Sequence, residues 1–454
     1  MPPTASKATD IQILDVEYDF EEYPYRTPLK FGGVPTSNCT LFNVRLRVRT
    51  RDGKEAVGKG SMPLGNVWAF PPRFVPVDAS LGAMKTLAAR AADETPNCTL
   101  CAHPLDLSVA LESDFKHLAG TVSDELGLDV PIPDLCTLVT TSPIDAAIHD
   151  AFGKANGINS YNALGPEFVA NDLSYYLDDQ FAGKYLDAYV SDKPQASIPL
   201  YHLVGALDPL TDADVVDRLD DGLPNTLSEW IVADGLTHLK VKLNGDDLDW
   251  DVERFLSVER VTAEAQAGRG VAEWVYSADF NEQCQDVQYL LDFLARIQEG
   301  DGQAFGRLAY IEQPTDRDLR AHPENRMHKA AEIKPVVIDE SLTDYETLLL
   351  AREQGYSGVA IKACKGQTES LLMGAAAVEF GMFLAVQDLT CPGASFLHSA
   401  GLAARVRSVT AIEGNGRQYC PAANEAWKDE FPSVFDITDG TVGTHVLTGP
   451  GLGH

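Results

Sequence analysis

Asp279, Glu312 and Asp339 each close a short apolar stretch, in WVYSADFN, LAYIEQP and PVVIDES. Two lysines precede them in THLKVKLNG, at Lys240 and Lys242, and Lys362 follows at the end of SGVAIKACK. Successive members of the series lie roughly 23 to 37 residues apart, about one strand plus helix of a (β/α)8 barrel, so their side chains would gather at its C-terminal rim. Carboxylate oxygens are hard ligands, and three of them suit Mg2+ better than a soft metal. Glu340 directly follows Asp339, so either acid could ligate; Asp339 is the assigned ligand and Glu340 its neighbour. Asn281, two residues after Asp279, could share its face and orient the site or touch a bound substrate.

Lys240 and Lys242 are two apart on a strand, so both point to one face. On a sheet edge such a pair is a solvated surface feature. A closed barrel has no edge, and its inward side is dry. Neighbouring cations there oppose protonation, so Lys240 and a metal would draw the pKa of Lys242 down from about 10.4 towards neutrality. Lys362 ends the sixth strand, nearly across the barrel, whereas Lys365 is assigned to the following loop. Opposed bases beside a divalent cation suit one reaction type, removal of the proton α to a carboxylate, with the metal neutralising charge on the carboxylate oxygens. One lysine takes the proton; the other returns it to the opposite face or acts as general acid.

The elements that must position these groups are legible in two sections. At 454 residues the chain is too long for one compact core, and two domains are expected. Residues 11 to 60 read as a strand meander, interrupted by the Gly/Pro-rich loop TPLKFGGVPTSN and turning at Arg51-Asp52-Gly53. Helical patterns follow in LGAMKTLAARAA and in SPIDAAIHDAFGKANG, where Ser142 is placed to cap. A stretch from about 165 to 195, rich in Asp and Tyr, reads as an extra helical or loop element. Residues 1–195 are thus an α+β domain. From 196 to 424 eight candidate strands alternate with amphipathic helices, which satisfies an α/β fold of the (β/α)8, or TIM-barrel, type. Residues 425–454 leave that pattern, and FDITDGTVGTHVL suggests a hairpin returning to the first domain. No glycine-rich nucleotide loop is present.

The formal charge of −31 disfavours nucleic acid and anionic membranes as partners. The same field would repel a small carboxylate substrate, which therefore needs a local positive cluster. Hydrophobic residues make up 44% of the chain, no run of about 18 apolar residues occurs, and the start lacks the apolar core of a signal peptide. A cytoplasmic enzyme is expected. The eight cysteines follow no disulfide framework, and Cys98 and Cys101 form a single CxxC without the second pair a zinc site needs.

In this order and spacing, the KxK pair, the DxN at 279–281, the EQP, the DES and the later lysine resemble the enolase superfamily, in particular its mandelate racemase/muconate lactonizing enzyme family. The resemblance spans most of the chain. It implies a modified barrel under an α+β capping domain, Mg2+ held by Asp279, Glu312 and Asp339, and Lys242 and Lys362 as the acid/base pair. It also implies that Lys240 helps hold the substrate carboxylate, and that the protein is a homo-oligomer. The mandelate racemase subgroup pairs a seventh-strand histidine with a sixth-strand aspartate. Here the sixth strand offers Lys362 and the seventh ends Gln387-Asp388, while His398 lies in a helical segment. The lysine pattern is closer to the muconate lactonizing subgroup. Gln387, Asp388 and, at the end of the eighth strand, Glu413 are candidate substrate contacts, with a structural role for Glu413 an equal alternative. Lys30 and Trp68 lie on loops expected over the barrel mouth. Racemisation, epimerisation and cycloisomerisation all begin with the same proton abstraction, as does acid-sugar dehydration. A non-catalytic scaffold would show the loss of a ligand or lysine, and none is lost.

Overall fold

The computed structural model describes residues 6–31 and 34–454. The chain builds an antiparallel sheet first. Strands β1 (Ile11–Phe31), β2 (Val34–Thr50) and β3 (Glu55–Pro63) form the meander, and the short β4 (Cys101–Ala102) adds to β1, giving the order β3-β2-β1-β4. The segment expected as a Gly/Pro-rich loop is mostly strand. β1 runs on to Phe31, β2 resumes at Val34, and Leu29 pairs with Thr36 across a register shift. Gly32 and Gly33 lie outside the described residues.

Three long helices pack on this sheet, Val77–Glu94, Pro104–Leu126 and Asp134–Asn156. The third was expected to begin at Ser142, and it begins two turns earlier. Pro143 sits inside it. A proline cannot donate to the carbonyl four residues back, and the Ser142 hydroxyl donates to that orphan, Val139 O, at 2.9 Å. Ser142 therefore repairs the helix interior where it was expected to cap an end. Gly60 of β3 lies directly under this turn. A Cβ there would collide with the Pro143 carbonyl, and one at Gly58 with Ala147 and Ala151.

The second sheet is a closed barrel of parallel strands: β5 (Ser197–Val204), β6 (His238–Lys242), β7 (Val275–Asp279), β8 (Leu308–Glu312), β9 (Val336–Ile338), β10 (Gly358–Lys362), β11 (Phe383–Gln387) and β12 (Ile412–Glu413). Closure is the pairing of Ile412 with Leu200 and Glu413 with Tyr201. Leu239 and Val241 face the outer helices, whereas Lys240 and Lys242 face inward, as the period-two geometry of a strand requires. Below the lysines the barrel is plugged by Tyr201, Tyr310, Val337, Ala360, Ala385 and Ala411, large rings fitting against alanines. The C-terminal strand β13 (Thr441–Gly443) pairs antiparallel with β5, so the expected hairpin joins the barrel. The tail beyond it docks on the other section, with Leu452 N bonded to Asp150 and Gly451 N to Ile158 O.

The two sections share buried polar contacts. Asp145 accepts from Thr368 N and Oγ1, both at 2.8 Å, and His149 meets the same hydroxyl at 2.9 Å. These contacts fix the segment just after Lys362. All eight cysteines are free thiols. Among the described residues, no helix is long and apolar enough to cross a membrane.

A lysine and carboxylate cluster at the barrel's end

Strand register brings the predicted groups to one level. Lys242 stands beside Asp279, Asp279 beside Glu312, and Lys362 beside Gln387. With β6 and β10 four strands apart in a ring of eight, Lys242 and Lys362 face each other, and the acids of β7, β8 and β9 fill one arc between them. All are buried, with Lys240 1%, Lys242 5% and Lys362 3% exposed. An ammonium so deep requires counter-charge.

Carboxylates supply it. Lys240 Nζ lies 2.7 Å from Glu312, 2.8 Å from Glu413 and 3.0 Å from Asp279. Lys242 pairs with Asp279 and donates to Asn281 Oδ1 at 2.9 Å. Lys362 lies 2.7 Å and Lys365 3.2 Å from Asp339. Lys365, assigned by sequence to a loop, is thus part of the cluster. A 3-10 turn over Ala363–Lys365 returns to the same side after three residues, which strand spacing alone would not suggest.

This pairing sets the charge state of the cluster. Burial would lower Lys240, but Asp279, Glu312 and Glu413 outweigh it and hold its pKa well above the usual lysine value. Lys362 is likewise raised, with Asp339 and Glu312 overcoming burial. Burial alone would raise Asp279 and Asp339 too; Lys240 and Lys242 keep the first well below the carboxylate range, and Lys362 and Lys365 bring the second to about 2. Glu312 goes the other way, raised by burial and then by Asp279 and Asp339.

The remaining candidates separate. Gln387 donates to Glu312 and faces the cluster. Asp388 does not join it by hydrogen bonds. Its carboxylate accepts from the backbone N–H groups of Thr390, Cys391 and Asn415, shaping the loop after β11, and burial followed by Glu413 pushes its pKa to about 7. Glu413 sits on the floor under Lys240. Asn281 lies past the strand at φ 44°. Asp339 faces the lysines, while Glu340 is buried beside the cap, accepting from Trp68 Nε1 at 2.9 Å. Lys30 reaches Asn244 at 3.1 Å. His398 is a buried helix residue bonded to Gln367.

Above the cluster is a cavity of about 190 Å3 lined by Val34, Trp68, Arg73, Glu282, Arg317 and Glu340, among others. Glu282 binds both arginines, Arg73 at 3.1 Å and Arg317 at 2.5 Å. These three escaped sequence reasoning because each looks like an ordinary surface charge until two sections of the chain meet.

The donor set fits a hard divalent cation in kind. Three hard-oxygen acids end adjacent strands, and Glu312 is pressed by two like charges. Among the described residues no three potential ligands form a ready metal-holding group, and the Lys240 ammonium contacts both Asp279 and Glu312.

A barrel of this order, with acids and lysines at its C-terminal end, defines an enolase-type enzyme. Residues 223–454 match the family model described as enolase C-terminal domain-like, and the chain belongs to that family, whose members in the enolase superfamily are isomerases and lyases. The fold is similar to that of muconate lactonizing enzyme from Pseudomonas fluorescens complexed with muconolactone (TM-score 0.60, 18% identity, 97% of this chain and 96% of that one). It is also similar to L-Ala-D/L-Glu epimerase from Bacillus subtilis (0.63, 17%, 97% and 98%). A third is dipeptide epimerase from Enterococcus faecalis complexed with Mg and the dipeptide L-Leu-L-Tyr (0.62, 14%, 97% and 99%). None of the curated proteins matches the chain in sequence.

Proposed function

We propose that this enzyme removes the proton α to the carboxylate of a small-molecule substrate, in a 1,1-proton transfer (racemisation or epimerisation) or a cycloisomerisation. One observation carries the reading: two buried lysines oppose each other across the barrel, with three acids on the intervening strands. Lys242 Nζ and Lys362 Nζ are the assigned acid/base pair, one for each face of the α-carbon. Asn281 holds Lys242 on one wall, and the Trp68 ring lies over Lys362 on the other.

Asp279, Glu312 and Asp339 would hold Mg2+, as supported by the Mg named with the dipeptide epimerase. When bound, the ion supplies positive charge where the substrate carboxylate becomes more negative. Lys240 adds to the positive floor and aligns Glu312 and Glu413. That local field answers the repulsion expected from a chain of −31. The segment up to residue 195, with the tail beyond β13, is the cap in this reading, and 196–424 with β13 the catalytic barrel.

The test is α-proton exchange in deuterated water with Mg2+, on pools of amino-acid derivatives, dipeptides, hydroxy acids and sugar acids. Deuterium should enter at the α-carbon of a substrate, and chelation should stop it. Lys242→Ala and Lys362→Ala should each abolish exchange from one enantiomer and spare the other. Exchange that survives both changes together sinks the assignment.

A further inference from the structure

A larger cavity, of about 410 Å3, lies outside this site. One side is formed by the helices Pro104–Leu126 and Asp134–Asn156 and the Leu173–Tyr176 turn, the other by the segments following β9 and β10. Its size is that of a small-molecule pocket. Leu111, Phe115, Leu138, Leu372 and Met373 give it an apolar body. Tyr175 and Tyr176 add two rings, edge to face at 5.1 Å.

The charge lining that body is negative. Glu112, Asp134, Asp145, Asp344, Glu346 and Glu369 face two lysines. Lys116 is engaged by Glu112 at 2.7 Å, and Lys365 by Asp339 of the barrel cluster. Asp145 is committed to Ser108 and Thr368, and Asp344 caps the following helix through Thr347 N. Glu369 is different: its Oε1 is buried with no hydrogen-bond partner. Burial, then Glu112 and Asp344, push its carboxyl up to about 8, so without a neighbouring cation it holds a proton near neutrality, and a bound ammonium would favour the carboxylate in its place. A buried acceptor left unmatched in an anionic pocket calls for a cationic donor.

We propose that this cavity is a second binding site, for an organic amine whose ammonium meets Glu369 and whose apolar body lies among Leu111, Leu138 and Met373. The aromatic rings favour the same charge, because a ring face attracts an ammonium. Lys365 lines the cavity and bonds to Asp339, so it stands between the two sites.

Phenethylamine and its neutral counterpart 2-phenylethanol, titrated calorimetrically into the full chain at neutral pH, test this. The amine should bind saturably at one site, at least tenfold more tightly than the alcohol. Glu369→Gln should weaken the amine about tenfold while leaving the alcohol unchanged, and Leu138→Trp, at a half-buried position, should abolish binding by filling the space. Matching thermal melts would show that both variants fold. No saturable binding, equal affinity for amine and alcohol, or wild-type amine affinity in either variant overturns the proposal; the last result would put the amine elsewhere, for instance among the barrel carboxylates.

Discussion

The indole of Trp68 lies over the ammonium of Lys362, with Nζ 4.5 Å from the ring centroid, while its own N–H donates to Glu340. One cap side chain thus touches a lysine and an acid on two barrel strands. A desolvated cation–π contact is worth about 2 kcal/mol, a factor of about 30. Trp68→Ala should cut α-proton exchange by about that factor. Trp68→Phe keeps a ring but loses the hydrogen bond and should fall between. Equal rates in both variants and the wild type would leave Trp68 as packing alone.

Gln313 links two motifs. Its Oε1 accepts from Asp339 N at 3.0 Å and Ser341 N at 3.3 Å, so the EQP side chain sets the path of the DES backbone. Gln313→Ala would strand two buried N–H groups, each costing about 1–3 kcal/mol. A stability loss of at least 2 kcal/mol in urea unfolding is the expected outcome, together with weaker Mg2+ dependence of exchange.

Lys365 donates to the Asp339 carbonyl at 2.5 Å and pairs with its carboxylate. Groups that orient a ligand in this way typically change metal affinity or activity about 10–100-fold when removed. Lys365→Met should raise the Mg2+ concentration needed for half-maximal exchange by that order, with the melting temperature little changed. An unaltered Mg2+ titration would make Lys365 a structural cation only.

Strand ends were readable because β6, β7, β8, β10 and β12 each close a short apolar run on a charged residue, and period two then settles which side chains face inward. Lys240 and Lys242 follow from that rule. Lys365 does not, because a 3-10 turn replaces the strand period. Ser142-Pro143 misleads for a related reason: locally the pair reads as a helix start, and only the packing of Gly58 and Gly60 beneath it shows an uninterrupted helix. Counter-charge was hidden for another reason: Asp279, Glu312 and Glu413 come from three separate strands, and only closure of the barrel brings them together around Lys240. Arg73, Glu282 and Arg317 needed the tertiary fold, since nothing in their local sequence distinguishes a mouth-lining trio from solvated charge.

Gly60 tests the helix packing directly. The alanine Cβ would meet the Pro143 carbonyl, a backbone atom that no rotamer can move. Overpacking of this kind costs typically about 1–3 kcal/mol. Gly60→Ala should lower stability by at least that much, whereas Gly82→Ala, where nothing lies within 4 Å, should be neutral or slightly stabilising in the same denaturant series.

His103 supplies an acid-sensitive joint. It begins the Pro104–Leu126 helix, with Nδ1 accepting from Leu105 N at 3.2 Å and Nε2 meeting Ala163 O at 3.0 Å. The Nδ1 bond needs the neutral ring, because a protonated Nδ1 cannot accept, whereas the Nε2–H bond to the carbonyl persists in either state. Burial, then His149, lowers its pKa from 6.5 to about 3. The folded state therefore disfavours the proton that the unfolded chain binds. Its contribution to stability is whole above pH 6.5 and is lost as pH falls towards 3, at up to about 1.4 kcal/mol per pH unit. Asparagine can accept from the same N–H without titrating. His103→Asn should therefore flatten unfolding free energy against pH between 6 and 4, and an unchanged slope would move the acid sensitivity to other buried groups.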